Sequence, residues 1–236
     1  KLFSGPLHWR DLFRLGPARD DHFIALRTGV GVFVPLFVLL AIGRLDLAAF
    51  AVFAAFTGVY GRIPNHRRRM AHQLKAGALF WVVILLAGLT SRFLVDHSTS
   101  AGTWLVVALT TVVAWACQVI VGFWGLRPAG SLFHIFAFAA IASMPSLPPI
   151  RDAMLTSSLT VLLAVAVGFA GWLIPSRRTS WREVPKPPPS VSERQTVLLE
   201  SVGYLAAAGI SGAIATLLMP VLQTGHNYWA MVAAVV

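Results

Sequence analysis

The chain has 236 residues, 57% hydrophobic and only 12% charged, with a formal net charge of +10. Soluble domains hold about 45–50% apolar and about 25% charged residues, so this composition excludes a water-soluble globular protein, which would lack the polar surface to cover its core. The positive charge falls in short clusters between apolar blocks, the pattern by which a membrane protein marks its cytoplasmic side, and this argues against nucleic acid as a partner.

In chain order, residues 1–21 read as a cytoplasmic tail. Its stretch "LHWRDLFRL", Leu7 to Leu15, sets Trp9, Leu12 and Phe13 on one helical face, as an interfacial helix does; a disordered tail is the alternative. The chain begins at Lys1, and the apolar block after the tail is too long and has the wrong flanks for a cleaved signal, so both ends are read as trimmed. "HFIALRTGVGVFVPLFVLLAIG", His22 to Gly43, has the length of a tilted span, and Pro35 is expected to kink it. A second, shorter block runs from Asp46 to Tyr60 and is followed by "GRIPNHRRRM", whose charges and proline do not belong in hydrocarbon. A third block runs from Ala71 to Thr90 and a fourth from Ala101 to Trp124. After the turn "GLRP" comes a short fifth block, Ala129 to Met144, and a sixth runs from Asp152 to Ile174. These blocks are longer than barrel strands and lack strict alternation, so helices are expected throughout.

"PSRRTSWREVPKPPPSVSERQ", Pro175 to Gln195, is rich in proline, serine and charge and reads as an extended cytoplasmic linker. A seventh block follows from Thr196 to Leu222, and "HNYWAMVAAVV" opens an eighth. Lys1, Arg10, Arg14 and Arg19 lie in the tail, Arg62 and Arg67 to Arg69 after the second span, Arg127 in "GLRP", and five more basic residues in the linker. The opposite side holds only Arg44, Arg92 and Arg151, each with an aspartate nearby in sequence. This excess places the N-terminus inside.

"AFAVFAA", Ala49 to Ala55, and "YWAMVAA", Tyr228 to Ala234, match in hydrophobic pattern and at their alanines. Each follows a long span with a charged residue near its cytoplasmic end and glycines soon after. Six spans separate the equivalent starts, an even number, so the copies would share an orientation, as parallel repeats do; chance similarity between alanine-rich spans is the rival. The expected fold is thus an all-α integral membrane protein, a six-helix transmembrane unit (22–174), a linker (175–194) and the first hairpin of a second, parallel-repeat unit (195–236), cut within span eight.

Arg27 in span one, "NHRRRMAHQLKAG" from Asn65 to Gly77, and "GHNYWAMVAAVV" from Gly225 onward resemble the fusaric acid resistance family of integral membrane transporters. Lys75 and Ala78 stand where that family usually shows arginine and threonine, and the first hairpin lacks the tryptophan that the second carries as Trp229. The resemblance implies a bacterial inner-membrane protein with two six-helix halves, linked to export of aromatic or other organic acids. It extends distantly to the plant aluminium-activated malate transporters, and so implies an anion channel as an alternative activity and a homodimer as the assembly.

Carrying an organic acid through hydrocarbon requires fixed positive charge or helix dipoles for its carboxylate. Arg27 lies about 7–8 Å into span one at 1.5 Å per residue, and Lys75 lies at a similar depth in span three. Together they are expected to form a cationic mouth on the cytoplasmic side; the alternative is that both snorkel to the headgroups. Glu200 sits at the equivalent depth of span seven, as an ion-pair partner for Arg27, a coupling group or a headgroup-level glutamate. Deeper polar residues are Thr110, Thr111 and Gln118 in span four and His134 in span five. Thr110, Gln118 and His134 are candidates for the anion path, with His134 suited to proton coupling; the alternative for His134, Gln118 and both threonines is a hydrogen bond to a neighbouring helix.

Arg67, Arg68 and Arg69 are expected to bind lipid headgroups and mark topology, as Arg127 marks it. Cys117, the one cysteine, reads as a small buried hydrophobe and permits no disulfide within the chain. No phosphate loop, paired intramembrane carboxylates, His-Glu-x-x-His or nucleophile elbow occurs, so neither an enzyme nor a cofactor nor a metal is expected. The reading is an organic-anion transporter, an exporter working by alternating access between two halves. An anion channel lined by the same cations is the alternative within transport, and a membrane scaffold for a soluble domain beyond residue 236 is the alternative outside it.

Overall fold

The structure, a computed structural model, describes residues 21–60, 65–173, 190–222 and 228–235. The expected tail helix at Leu7 to Leu15, most of the linker and the turn before Tyr228 lie outside the described residues. The described residues form helices and turns without a strand: α1 (Asp21–Ala41), α2 (Ala48–Ala55), α3 (His66–Phe93), α4 (Ser100–Trp124), α5 (Leu132–Ala142), α6 (Ile150–Ala170), α7 (Val191–Leu222) and α8 (Tyr228–Ala233). Four helical stretches are long and apolar enough to cross a membrane: His66–Phe93, Ser100–Trp124, Ile150–Leu173 and Val191–Pro220. Shorter apolar helices run at Ala25–Ala41, Leu45–Val59 and Leu132–Ala142. This is the pattern of an all-α membrane protein.

Two helices begin earlier than their apolar blocks, because capping residues set their starts. The Asn65 side chain accepts a hydrogen bond from the Arg68 amide at 3.1 Å, so α3 starts at His66 and the basic cluster forms its first turn instead of a loop. At α7, the Ser190 amide donates to Glu193 Oε2 at 2.7 Å and the Glu193 amide to Ser190 Oγ at 3.2 Å. This reciprocal capping box opens the helix at Val191, ahead of the apolar run.

The end where α1, α3 and α7 begin is here the basal end, and the other the apical end. Arg69 Nη1 donates to the Gly168 carbonyl at 3.2 Å, and Arg44 Nη2 meets Asp152 Oδ2 at 3.1 Å. Helix α6 therefore runs antiparallel to α1 and α3, tied to them at both ends. Helices α4 and α7 cross antiparallel as well: a Cβ on Gly122 would meet Val197, and one on Gly212 would meet Val107. Lipid tails are as apolar as leucine, so close backbone approach at small residues, more than hydrophobicity, holds such crossings.

Helices α2 and α5 each reach only partway through the bundle. Phe53 meets Phe136 edge-on at 5.1 Å and Phe56 meets Phe133 at 4.9 Å, so the two lie side by side in opposite directions. Ser91 Oγ, near the apical end of α3, donates to the Met144 carbonyl just past α5 at 2.6 Å. The other end of α5 rests against the middle of α3, where the His134 ring stacks on Phe80 at 4.2 Å. Phe80 is about 21 Å along α3 from His66 at 1.5 Å per residue. Both short helices thus occupy the apical half, and their inner ends meet at mid-depth, where α2 continues as a 3-10 turn (Phe56–Val59) to Tyr60.

Between α4 and α5 the chain turns back into the bundle. Gly125 takes φ +60 and caps α4, and Gly130 takes φ +97, left-handed conformations that glycine adopts without strain. The fully buried Ser131 donates its hydroxyl to the Ala114 carbonyl at 3.1 Å, about 15 Å back along α4 from Trp124. The fully buried large side chains Phe50, Tyr60, Phe80, Ile84, Ile135 and Phe138 gather around this mid-depth junction and the apical half above it.

Candidate functional site

The buried face of α3 carries His66, Gln73, Ala76, Gly77 and Phe80, residues that return to one side at helical spacing. At its basal end Arg69 turns inward to the Gly168 carbonyl. His66 is buried; a Cβ on Gly171 would stand 3.0 Å from its Nε2. Arg69 stands one turn from His66 on α3, and Arg27, near the start of α1, is half-buried at the same end of the bundle. Arginine stays charged at any physiological pH, and this end of the bundle is a standing source of positive potential.

One turn deeper, Gln73 is fully buried, and its amide lies where a side chain on residue 168 would be. Glycine at 168 is what admits it. Neither amide atom of Gln73 has a hydrogen-bond partner, nor does the Thr57 hydroxyl, which lies 3.4 Å from the Cβ position on Gly77. At mid-depth the pattern repeats. Tyr60 and His134 have ring centroids 5.8 Å apart, each is 0% exposed, and the phenol oxygen and both imidazole nitrogens lack partners. On α4, Thr110 Oγ1 and Gln118 Oε1 are buried and unbonded too. A buried polar atom left unpaired costs about 1–3 kcal/mol, and these groups come from α3, the turn after α2, α4 and α5.

Of the residues expected from sequence, Arg27 joins this basal cluster, and Thr110, Gln118 and His134 are buried in the interior. Thr111 bonds its own helix, donating to the Val107 carbonyl at 2.8 Å. Lys75 is exposed, about 200° around α3 from Gln73 at 100° per residue; Arg69 stands with Arg27 instead. Arg67 and Arg68 are exposed at the start of α3, while Arg69 is half-buried and donates to the Gly168 carbonyl. Glu200 is exposed, and it forms no ion pair with Arg27 among the described residues, because α1 packs on α2 and α6 whereas α7 packs on α4 and α8. Gln73, Thr57 and Tyr60 escaped the sequence reading, as did the inward hydrogen bond of Arg69. Their available signal was the helical spacing 66, 69, 73, 77, 80, which combines polar residues with a glycine on one face.

Compared with known protein families, with curated proteins and with solved structures, the chain matches none of them. The geometry just described therefore carries the functional reading.

Proposed function

We propose that the chain is a transporter of organic acid anions in the bacterial inner membrane, an exporter that loads its substrate at the basal, cytoplasmic end. The observation that carries the reading is the buried face of α3. It starts at His66 and Arg69, with Arg27 of α1 at the same end of the bundle, and leads through Gln73 toward the junction of the two short helices at Tyr60 and His134. The guanidiniums draw a carboxylate out of water, where burying it bare is prohibitive, and the unpaired polar groups beyond them replace its hydration step by step. Helices broken at mid-depth are what transporters use to bind substrates inside the bilayer.

The resemblance to the fusaric acid resistance family supplies the substrate class, and α1–α6 form the six-helix unit of that proposal, with α7 and α8 as the first hairpin of a parallel second unit. Supporting the repeat, α2 and α8 flank α5, with Phe136 between Phe53 at 5.1 Å and Trp229 at 4.9 Å. The test is flux of radiolabelled benzoate and succinate in proteoliposomes, with and without a pH gradient. Arg27→Ala and Arg69→Ala are expected to abolish flux in folded protein. A well-folded preparation that moves neither anion under any gradient overturns the reading in favour of a membrane scaffold, and steady single-channel currents without a coupling ion would make it a channel.

A further inference from the structure

The second level of unpaired groups surrounds the N-terminus of a helix. α5 begins at mid-depth, about 21 Å in along α3, not at a membrane surface. The His134 amide donates to the Ser131 carbonyl at 2.9 Å, which leaves the first-turn amides of Leu132 and Phe133 without intrahelical partners at the positive end of the helix dipole. Serine at the N-cap position normally satisfies one of these N–H groups. Ser131 does not: its hydroxyl is committed to the Ala114 carbonyl of α4, and α5 has no side-chain cap.

Two independent observations show that this terminus is furnished for a ligand. The Tyr60 side chain is 0% exposed with an unpartnered hydroxyl. Its ring centroid lies 5.8 Å from that of His134 in the first turn of α5, and the Tyr204 hydroxyl comes to 2.5 Å from the Cβ position on Gly130, the residue just before the cap. The Tyr60 ring thus lies beside the first turn of α5. His134, in the first turn of that helix, is also 0% exposed, with both ring nitrogens unpartnered and the ring fixed on Phe80 at 4.2 Å. Gly130, at φ +97, lets the chain pass the Tyr204 hydroxyl without a side chain in the way.

We propose that the N-terminus of α5, with the Tyr60 hydroxyl and the His134 imidazole, is a mid-membrane carboxylate-binding site. The carboxylate accepts hydrogen bonds from first-turn amides of α5, from the phenol and from an imidazole N–H, all neutral donors. The guanidiniums at the basal end attract the anion; this inner site holds it by dipoles and hydrogen bonds alone, weakly enough to release it onward. The proposal rests on the transport reading and locates its inner binding step.

Equilibrium binding of radiolabelled benzoate, succinate and chloride to purified full-length protein in detergent tests it, beside thermal unfolding without anion. Tyr60→Phe removes one oxygen and is expected to weaken binding of a carboxylate at least about tenfold, the range for a hydrogen bond to a charged group. Its melting temperature without anion stays equal or rises, because no protein hydrogen bond is lost. A hydroxyl with a merely structural role would instead lower it. His134→Phe keeps the ring on Phe80, is expected to behave alike, and carries the test should Tyr60→Phe not fold; Lys75→Gln should leave binding unchanged. Wild-type protein that binds a carboxylate while Tyr60→Phe and His134→Phe bind it equally well overturns the inner site and leaves the transport reading standing. Wild-type protein that binds none of the three anions overturns both.

Discussion

Replacing Gly168 by alanine tests the contact on which the basal site depends. A Cβ at this position would fall on the Gln73 amide, which is fully buried between α3 and α6, so the amide has no solvent side to which it can retreat. Overpacking of this kind costs about 1–3 kcal/mol, against which alanine's better helix propensity returns at most about 1 kcal/mol. In a Gln73→Ala background the obstruction is gone and only the propensity gain remains, so the same substitution should be neutral or stabilising by up to about 1 kcal/mol. The propensity gain cancels between the two backgrounds, so the double-mutant cycle is expected to show a coupling of about 1–3 kcal/mol, within the range for residues in contact. Reversible unfolding of purified protein in detergent measures all four corners, and flux of benzoate follows the loss of the site in Gly168→Ala. If Gly168→Ala costs the same in both backgrounds, Gln73 does not lie against Gly168 and the buried amide must point elsewhere.

The two cations expected from sequence and structure separate cleanly: Arg69→Ala should reduce anion flux at least tenfold, the loss of one charge-assisted partner, while Lys75→Ala, on the outer face of α3, should change it less than twofold; comparable losses would place Lys75 in the path. At the apical end, the Arg44 to Asp152 pair is partly exposed, at 37% and 27% of side-chain surface. Asp152→Asn should thus lower the melting temperature only slightly, as screened surface pairs do, with the difference shrinking in high salt. The loop between α3 and α4 should respond to acid. Asp96 accepts from the Ser98 hydroxyl at 2.6 Å and the Ser98 amide at 3.0 Å, bonds that hold its carboxyl below the ordinary aspartate range. A depressed folded-state value means that the stabilisation is complete above the unfolded value of about 3.9 and is lost as pH falls through the folded one. Amide exchange of Ser98 and Thr99 should accelerate in that acid window, and Asp96→Asn should flatten the dependence.

Composition and block length alone determined that this is a helical membrane protein, and the physical reason is stringent. A backbone in hydrocarbon must satisfy its own hydrogen bonds, so long apolar blocks without alternation have one solution. The shortness of the second and fifth blocks was legible too, from the polar and proline-rich stretches that interrupt them. The helix starts at His66 and Val191 were misjudged by about five residues, because hydropathy marks where apolar residues begin, whereas Asn65, Ser190 and Glu193 mark where the helix does. Tertiary structure alone decided which side chains face inward. On a soluble helix the apolar stripe identifies the buried face, but on a membrane helix lipid-facing and core-facing positions are both apolar, so Arg69 and Lys75 look alike in sequence and differ only once α6 packs against one side of α3. The same packing decided that Tyr60 and His134, far apart in the chain, meet at mid-depth. Two short helices inserted from one side must end somewhere inside the bundle, and only their neighbours set where.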